Sequence, residues 1–219
     1  MLDRRHAQVL PGPKGLRSVY STFRAGNWPQ CIANEHGTPT TPTPHAPGPK
    51  ENSVKPKLLF DFSDATSVRD WAAIDDRVMG GESQSRLRHD LQGHAVFEGV
   101  VSLERNGGFA SVRSIPGHRG QPKAQACQIE VRGPIKQFKL SLLTDDGFDN
   151  LSYQASFAPS GNEWKTLSLP VTAFHASFRG RIVPGAPPLD PARVRQVGLM
   201  IAARQAGPFT LDIRRISLA

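Results

Sequence analysis

The chain has 219 residues, 38% of them hydrophobic and 21% charged, with a formal net charge of +8. That length accommodates one ordinary domain plus an extension, or two very small domains, and no apolar run approaches the length that crosses a bilayer as a helix. The two cysteines, Cys31 and Cys127, form no metal-ligand spacing, which argues against a disulfide-stapled or zinc-bound scaffold and for a reducing compartment.

Composition shifts near residue 56. Residues 1–56 hold nine of the 19 prolines and carry seven bases against three acids. Such a segment has little apolar surface to offset the entropy lost on ordering, so disorder is predicted. Three roles fit it. It reads as a flexible linker or tail by composition. It also reads as an organelle-targeting segment, since its first 30 residues hold five bases and one acid, although Pro11, Gly12, Pro13 and Gly15 would interrupt an amphipathic helix early. The third reading is a mis-assigned start, with translation beginning near Val54. The apolar core of a secretory signal is absent from these residues.

Residues 57–219 read as one packed domain of β-structure. Leu58-Leu59-Phe60-Asp61-Phe62 predicts the first strand, and Ser63 or Asp64 is placed to start a turn leading to Trp71. The run Asp75-Asp76-Arg77-Val78-Met79-Gly80-Gly81-Glu82-Ser83 then interrupts the strand pattern. Neighbouring residues of a regular strand point to opposite faces, so Asp75 and Asp76 could not both line one surface there. The glycine pair admits dihedrals closed to other residues, as a bulge or corner needs. The run is therefore predicted to be a shaped backbone feature that presents polar side chains.

Further along, residues 96–103 predict a strand and Asn106-Gly107 a hairpin turn, with a return strand over 109–112. Cys127, Ile129 and Val131 alternate with polar residues, as do Phe138, Leu140 and Leu142, the period of half-buried strands. Asp145-Asp146-Gly147 ends that strand. Strands over 151–157, 164–169, 194–202 and 209–213 follow, and Asp190-Pro191 is suited to cap a single helical turn. Roughly ten short strands with polar connections predict an all-β, antiparallel two-sheet sandwich or barrel.

The 75–83 run resembles the signature of the complex I intermediate-associated protein 30 family. Matches in the same order follow: Leu103-Glu104-Arg105-Asn106-Gly107-Gly108-Phe109, then Trp164, Leu169-Pro170, Phe174, Phe178-Arg179-Gly180-Arg181 and the 207–213 segment. The resemblance covers residues 57–219 and implies a galactose-binding-like jelly roll. It also implies a role like that of the family's mitochondrial members, which assemble respiratory complex I by binding its intermediates.

Candidate site residues are Asp75, Asp76, Arg77, Gly80, Gly81, Ser83, Asn106 and Arg179, taken together as a binding surface. Asp75, Asp76 and Glu82 could act as acids or calcium ligands. The competing reading, favoured here, is that Asp75 or Asp76 accepts backbone N–H bonds and pins the corner, with Arg77 as a counter-ion and Met79 as core filler. Asp145, Asp146, Asp149 and Asn150 form a second acidic cluster, but without the spacing of a calcium loop, and a solvated hairpin loop is expected. Arg179 and Arg181 could fork onto a carboxylate or phosphate, or pair with Asp75 or Asp76. Trp71 and Trp164 would stack on sugar if exposed, and core placement is expected for both.

No nucleophile elbow, phosphate loop or zinc motif occurs, and His89, His94, His118 and His175 pair with no nucleophile, so neither catalysis nor a cofactor is expected. The function predicted is a noncatalytic module whose partners are proteins, respiratory complex I subunits or assembly intermediates among them. Two alternatives stay open: a carbohydrate-binding module of the same fold, and a small enzyme or cofactor-binding domain using the acidic clusters. The body's charge forms no basic run, so no specific nucleic-acid partner is expected, while peripheral contact with an anionic membrane stays open. The expected compartment is the bacterial cytoplasm or the mitochondrial matrix.

Overall fold

The structure is a computed structural model that describes residues 55–145, 147 and 150–219. The reading of residues 1–56 as a disordered extension therefore lies outside the described residues, apart from Lys55 and Pro56. So does the part of the second acidic cluster at Asp146 and Asp149.

Among the described residues thirteen strands, against the roughly ten expected, make two antiparallel sheets, the arrangement the alternating pattern predicts. In chain order they are β1 (Lys57–Asp61), β2 (Trp71–Ala73), β3 (Gln84–Asp90), β4 (His94–Val101), β5 (Ala110–Ser114), β6 (Ala126–Gly133) and β7 (Phe138–Leu143). There follow β8 (Ser152–Phe157), β9 (Gly161–Pro170), β10 (His175–Phe178), β11 (Arg181–Ile182), β12 (Gln196–Ile201) and β13 (Gly207–Leu218). One sheet runs β3-β4-β13-β6-β9, with β1 also on β13; the other runs β11-β10-β8-β7-β12-β5-β2. A bulge in β13 between Ile213 and Arg215 marks where its neighbour changes from β4 to β1.

Period-two strands put one face of each sheet inward. Phe97, Phe138, Ile129, Leu199, Leu211 and Ile213 are fully buried between the sheets. Phe209 lies against Phe97 with ring centroids 4.9 Å apart and against Phe138 at 6.3 Å, near edge to face. Burying one such ring is worth about 1.5–3 kcal/mol.

The predicted turns at Asp64 and Asp190 form. Asp64 Oδ1 accepts from the Thr66 N–H (2.8 Å) and Asp190 Oδ1 from the Ala192 N–H (2.9 Å), each starting a 3-10 turn. The hairpin expected at Asn106-Gly107 does not. β4 belongs to one sheet and β5 to the other, so residues 102–109 are a crossing between sheets. Both Arg105 (φ 50°) and Asn106 (φ 60°) are left-handed, the local geometry that the Asn-Gly pair signals, but here it turns the chain out of its sheet. β2, β3, β10 and β11 carry no strong alternation and were not among the predicted strands. β10 and β11 are joined by Arg179 and Gly180, both at positive φ (47° and 77°), the backbone of a two-residue hairpin turn.

Candidate functional site

The 75–83 corner lies where the two sheets meet at β2, β3 and β5. Its chain leaves β2, makes one 3-10 turn over Asp76–Met79, and turns on Gly80, whose φ of 88° is left-handed, before entering β3. Two carboxylates hold it. Asp76 accepts from the Ser83 N–H (2.9 Å) and hydroxyl (2.6 Å), and from the Gly108 (2.7 Å) and Phe109 (3.3 Å) N–H groups. Asp75 accepts from the Ser85 N–H (2.9 Å) and hydroxyl (2.6 Å) and from the Ser111 N–H (2.9 Å).

The donors identify what these acids do. Ser85 belongs to β3 in one sheet and Ser111 to β5 in the other, so the Asp75 carboxylate ties the sheets together. Asp76 repeats the tie one step along, between the entrance of β3 and the entrance of β5. Such hydrogen bonds to an ionised acceptor are stronger than neutral ones. Burial pushes the Asp76 carboxyl up, yet its donors, led by the Ser83 hydroxyl and the Gly108 N–H, outweigh burial and hold it below the usual carboxylate range.

Two glycines make room for the same carboxylate. A Cβ on Gly81 would fall 2.4 Å from Asp76 Oδ1, and one on Gly107 would fall 2.7 Å from Oδ2. The glycine-rich pattern on both sides of Asp76 is thus a space requirement as well as a conformational one.

The structure divides the predicted site residues into three groups. Asp75, Asp76 and Ser83 are buried, at 7%, 1% and 0% exposure, so these three side chains are interior ties and not part of a displayed surface. Arg77, Gly80 and Asn106 are exposed, and Gly81 is half-buried. Arg179 is elsewhere: it sits in the β10–β11 turn at the opposite edge of its sheet, four strand spacings of about 4.8 Å from β5, with its guanidinium over the Phe178 ring at 5.2 Å. The donors to both acids are backbone and serine groups, not Arg77, which faces solvent. Met79 is corrected outright: it is 64% exposed and its neighbour Val78 66%, so the corner lifts an apolar tip into solvent instead of filling the core. Beside it Arg105 and Glu82 form an exposed ion pair at 3.3 Å.

Sequence reasoning missed Ser85 and Ser111. The signal for Ser85 was available: in Ser83-Gln84-Ser85 the two serines share a strand face, matching two consecutive acids. Ser111 had none, because its pairing depends on β5 lying across the sandwich.

The other candidates have local roles. Asp145 Oδ1 accepts from the Gly147 N–H (3.1 Å) and the Asn150 amide (2.8 Å), a self-bonded loop. Trp71 packs on Phe60 and Phe62, with centroids at 4.8 and 5.9 Å. Trp164 departs from the core placement expected for it: it is half-buried on β9 and outside the core, with the guanidinium groups of Arg132 and Arg214 4.7 Å and 4.2 Å from its ring centroid and His94 at its edge (5.4 Å). Both rings are half-buried and held by neighbours within the fold. Among the described residues no three His, Cys, Asp or Glu side chains converge as a metal site, and no helix is long and apolar enough to cross a membrane.

Two antiparallel sheets, packed face to face and tied at one margin by an irregular corner, define a β-sandwich of the galactose-binding-like class. The family 11 carbohydrate-binding module of a Clostridium thermocellum cellulosomal cellulase superposes with a TM-score of 0.58 at 17% identity, over 76% of this chain and 95% of that one, a likeness of fold. The sequence profile of complex I intermediate-associated protein 30 matches residues 60–213, and the chain belongs to that family. An uncharacterised protein of Schizosaccharomyces pombe is 30% identical over 179 residues, 73% of this chain and 82% of that protein. The mitochondrial complex I intermediate-associated protein 30 of Drosophila melanogaster is 24% identical over 74% of this chain, and that of Mus musculus 22% over 72%. Those matches span 62% and 54% of the fly and mouse proteins.

Proposed function

We propose that this chain is a noncatalytic docking module that holds protein intermediates of respiratory complex I assembly, in the mitochondrial matrix or its bacterial counterpart. The observation that carries the reading is the corner itself. Its acids are spent on seven hydrogen bonds within the fold, and what it offers outward is Arg77, Val78 and Met79. An exposed apolar tip on a rigid base loses little entropy on binding, which favours insertion into a partner's recess. Arg77 beside the tip suits a recess with an acidic group at its rim. Family membership and the names of the fly and mouse relatives support the choice of partner.

The test is a double substitution, Val78→Asp with Met79→Asp, in the full chain expressed in cells of its source. Both side chains are exposed, so the unfolding midpoint should move little. Recovery of complex I subunits by crosslinking and affinity purification should fall at least tenfold. Undiminished recovery would refute the tip as the docking site, and failure to recover such subunits with the native chain would refute the assembly role.

A further inference from the structure

A second site lies away from the corner. The 117–121 and 191–195 segments run side by side, stitched by Gly117 N–H to the Arg195 carbonyl (2.9 Å), Arg119 N–H to Val194 (3.2 Å) and Gln121 N–H to Pro191 (2.9 Å). Arg195 N–H in turn donates to the Leu143 carbonyl (2.7 Å), which brings Thr144 alongside. Between them opens a pocket of about 320 Å³, lined by Lys57, His118, Thr144, Arg193 and Arg195, with Gly120 and Ala192–Val194 as backbone wall. The wall is tight: a Cβ on Gly120 would meet the Ala192 carbonyl oxygen at 1.8 Å.

The lining is cationic, and none of its described side chains is acidic. The Lys57 ammonium donates to the carbonyls of His118 (3.2 Å) and Gly120 (2.9 Å), which anchors it and leaves one of its three protons for another acceptor. Arg195 Nη1 sits 2.9 Å from His118 Nδ1. A guanidinium can only donate, so Nδ1 is the bare nitrogen and the imidazole proton is on Nε2, a further donor. Asp190, the acid of this segment, is turned to the Ala192 N–H (2.9 Å). Arg195 is already engaged, so the remaining Lys57 proton, the Arg193 guanidinium, the imidazole N–H and the Thr144 hydroxyl are the donors that line this concavity, still more than a carboxylate can accept. They match a tetrahedral dianion with several acceptor oxygens.

We infer that this pocket binds the phosphate group of a small soluble molecule. Its volume admits the phosphate together with part of the molecule that carries it. The inference is independent of the docking role proposed for the corner.

The test uses the full chain in phosphate-free, low-salt buffer, titrated with inorganic phosphate and followed by backbone amide chemical shifts. Saturable shifts confined to residues 118–120, 144 and 192–195 are expected. Arg193→Ala should weaken the phosphate Kd about tenfold. The Arg193 side chain is exposed and makes no hydrogen bond or ion pair among the described residues, so this variant reports on the ligand and not on folding. Arg181→Ala, at a distant exposed arginine, should leave the Kd unchanged. A second arm uses phosphatidylcholine vesicles containing phosphatidic acid. Vesicle binding without saturable phosphate binding would overturn the inference in favour of a membrane surface. Shifts spread over all the surface arginines, or an unchanged Kd in Arg193→Ala, would overturn it as well.

Discussion

Replacing Asp76 with alanine is expected to destabilise the domain by about 3–5 kcal/mol, the range for breaking a buried polar network. Four donors converge on this carboxylate, three of them within 2.9 Å. Each hydrogen bond to a charged acceptor is worth about 1.5–3 kcal/mol. Their sum overstates the loss, because water entering the vacated space re-solvates part of the exposed N–H groups. For a domain of this size the loss corresponds to a drop of about 10 °C in Tm. Asp76→Asn separates charge from shape. Ser83 N–H approaches Oδ1 while the other three donors share Oδ2. Whichever way the amide is turned, its NH2 meets a donor, and a loss of about 2 kcal/mol is expected. Urea unfolding followed by tryptophan fluorescence measures both variants, with Arg77→Ala as a surface control within about 0.5 kcal/mol of the native chain. A loss below about 1 kcal/mol for Asp76→Ala would refute the structural role assigned here. A gain in stability for Asp76→Asn would point instead to a carboxylate strained for chemistry.

The two glycines of the corner should behave differently. Gly80 has open space where a Cβ would go and a φ of 88°, so Gly80→Ala should cost only the left-handed strain of about 1–2 kcal/mol. Gly81→Ala places its Cβ 2.4 Å from Asp76 Oδ1 and should cost more, because it displaces the carboxylate from its donors; equal costs by urea unfolding would contradict that account. Acid should act through the same group. The Asp76 carboxyl is held below its unfolded value, so its contribution is complete above the unfolded pKa of about 3.9 and drains away as pH falls below it. Glu98, lowered chiefly by its bond to Arg88, has the same sign. The stability gap between the native chain and Asp76→Asn should therefore be constant from pH 7 to about pH 5 and narrow below about pH 4; a gap that stays constant down to pH 3 would refute the linkage.

Alternation made much of the fold legible. Cys127, Ile129 and Val131, or Phe138, Leu140 and Leu142, could only be strands with one face buried, and all six are interior. Where alternation was weak it failed: β3 reads Gln-Ser-Arg-Leu-Arg-His-Asp, because its outer face carries the Arg86 and Arg88 pairs to Glu98. Asn106-Gly107 shows a different limit. The left-handed conformation was readable from the residue types, but whether the chain then pairs back or crosses to the other sheet depends on which strand edge is vacant, a fact of assembly.

The candidate site splits along the same line. That Asp75 and Asp76 serve a corner made by two glycines was contained in the order of the residues, since a bend leaves backbone donors in need of acceptors. Which donors, and therefore that Val78 and Met79 face water while the acids face inward, was settled only when β3 and β5 closed over the corner from opposite sheets. The pocket around Lys57, His118, Arg193 and Arg195 was invisible for the same reason: its members lie up to 138 positions apart in sequence, and nothing in a linear pattern records that two irregular segments will run side by side. Short-range stereochemistry fixes what each residue can do; only long-range packing decides what it meets.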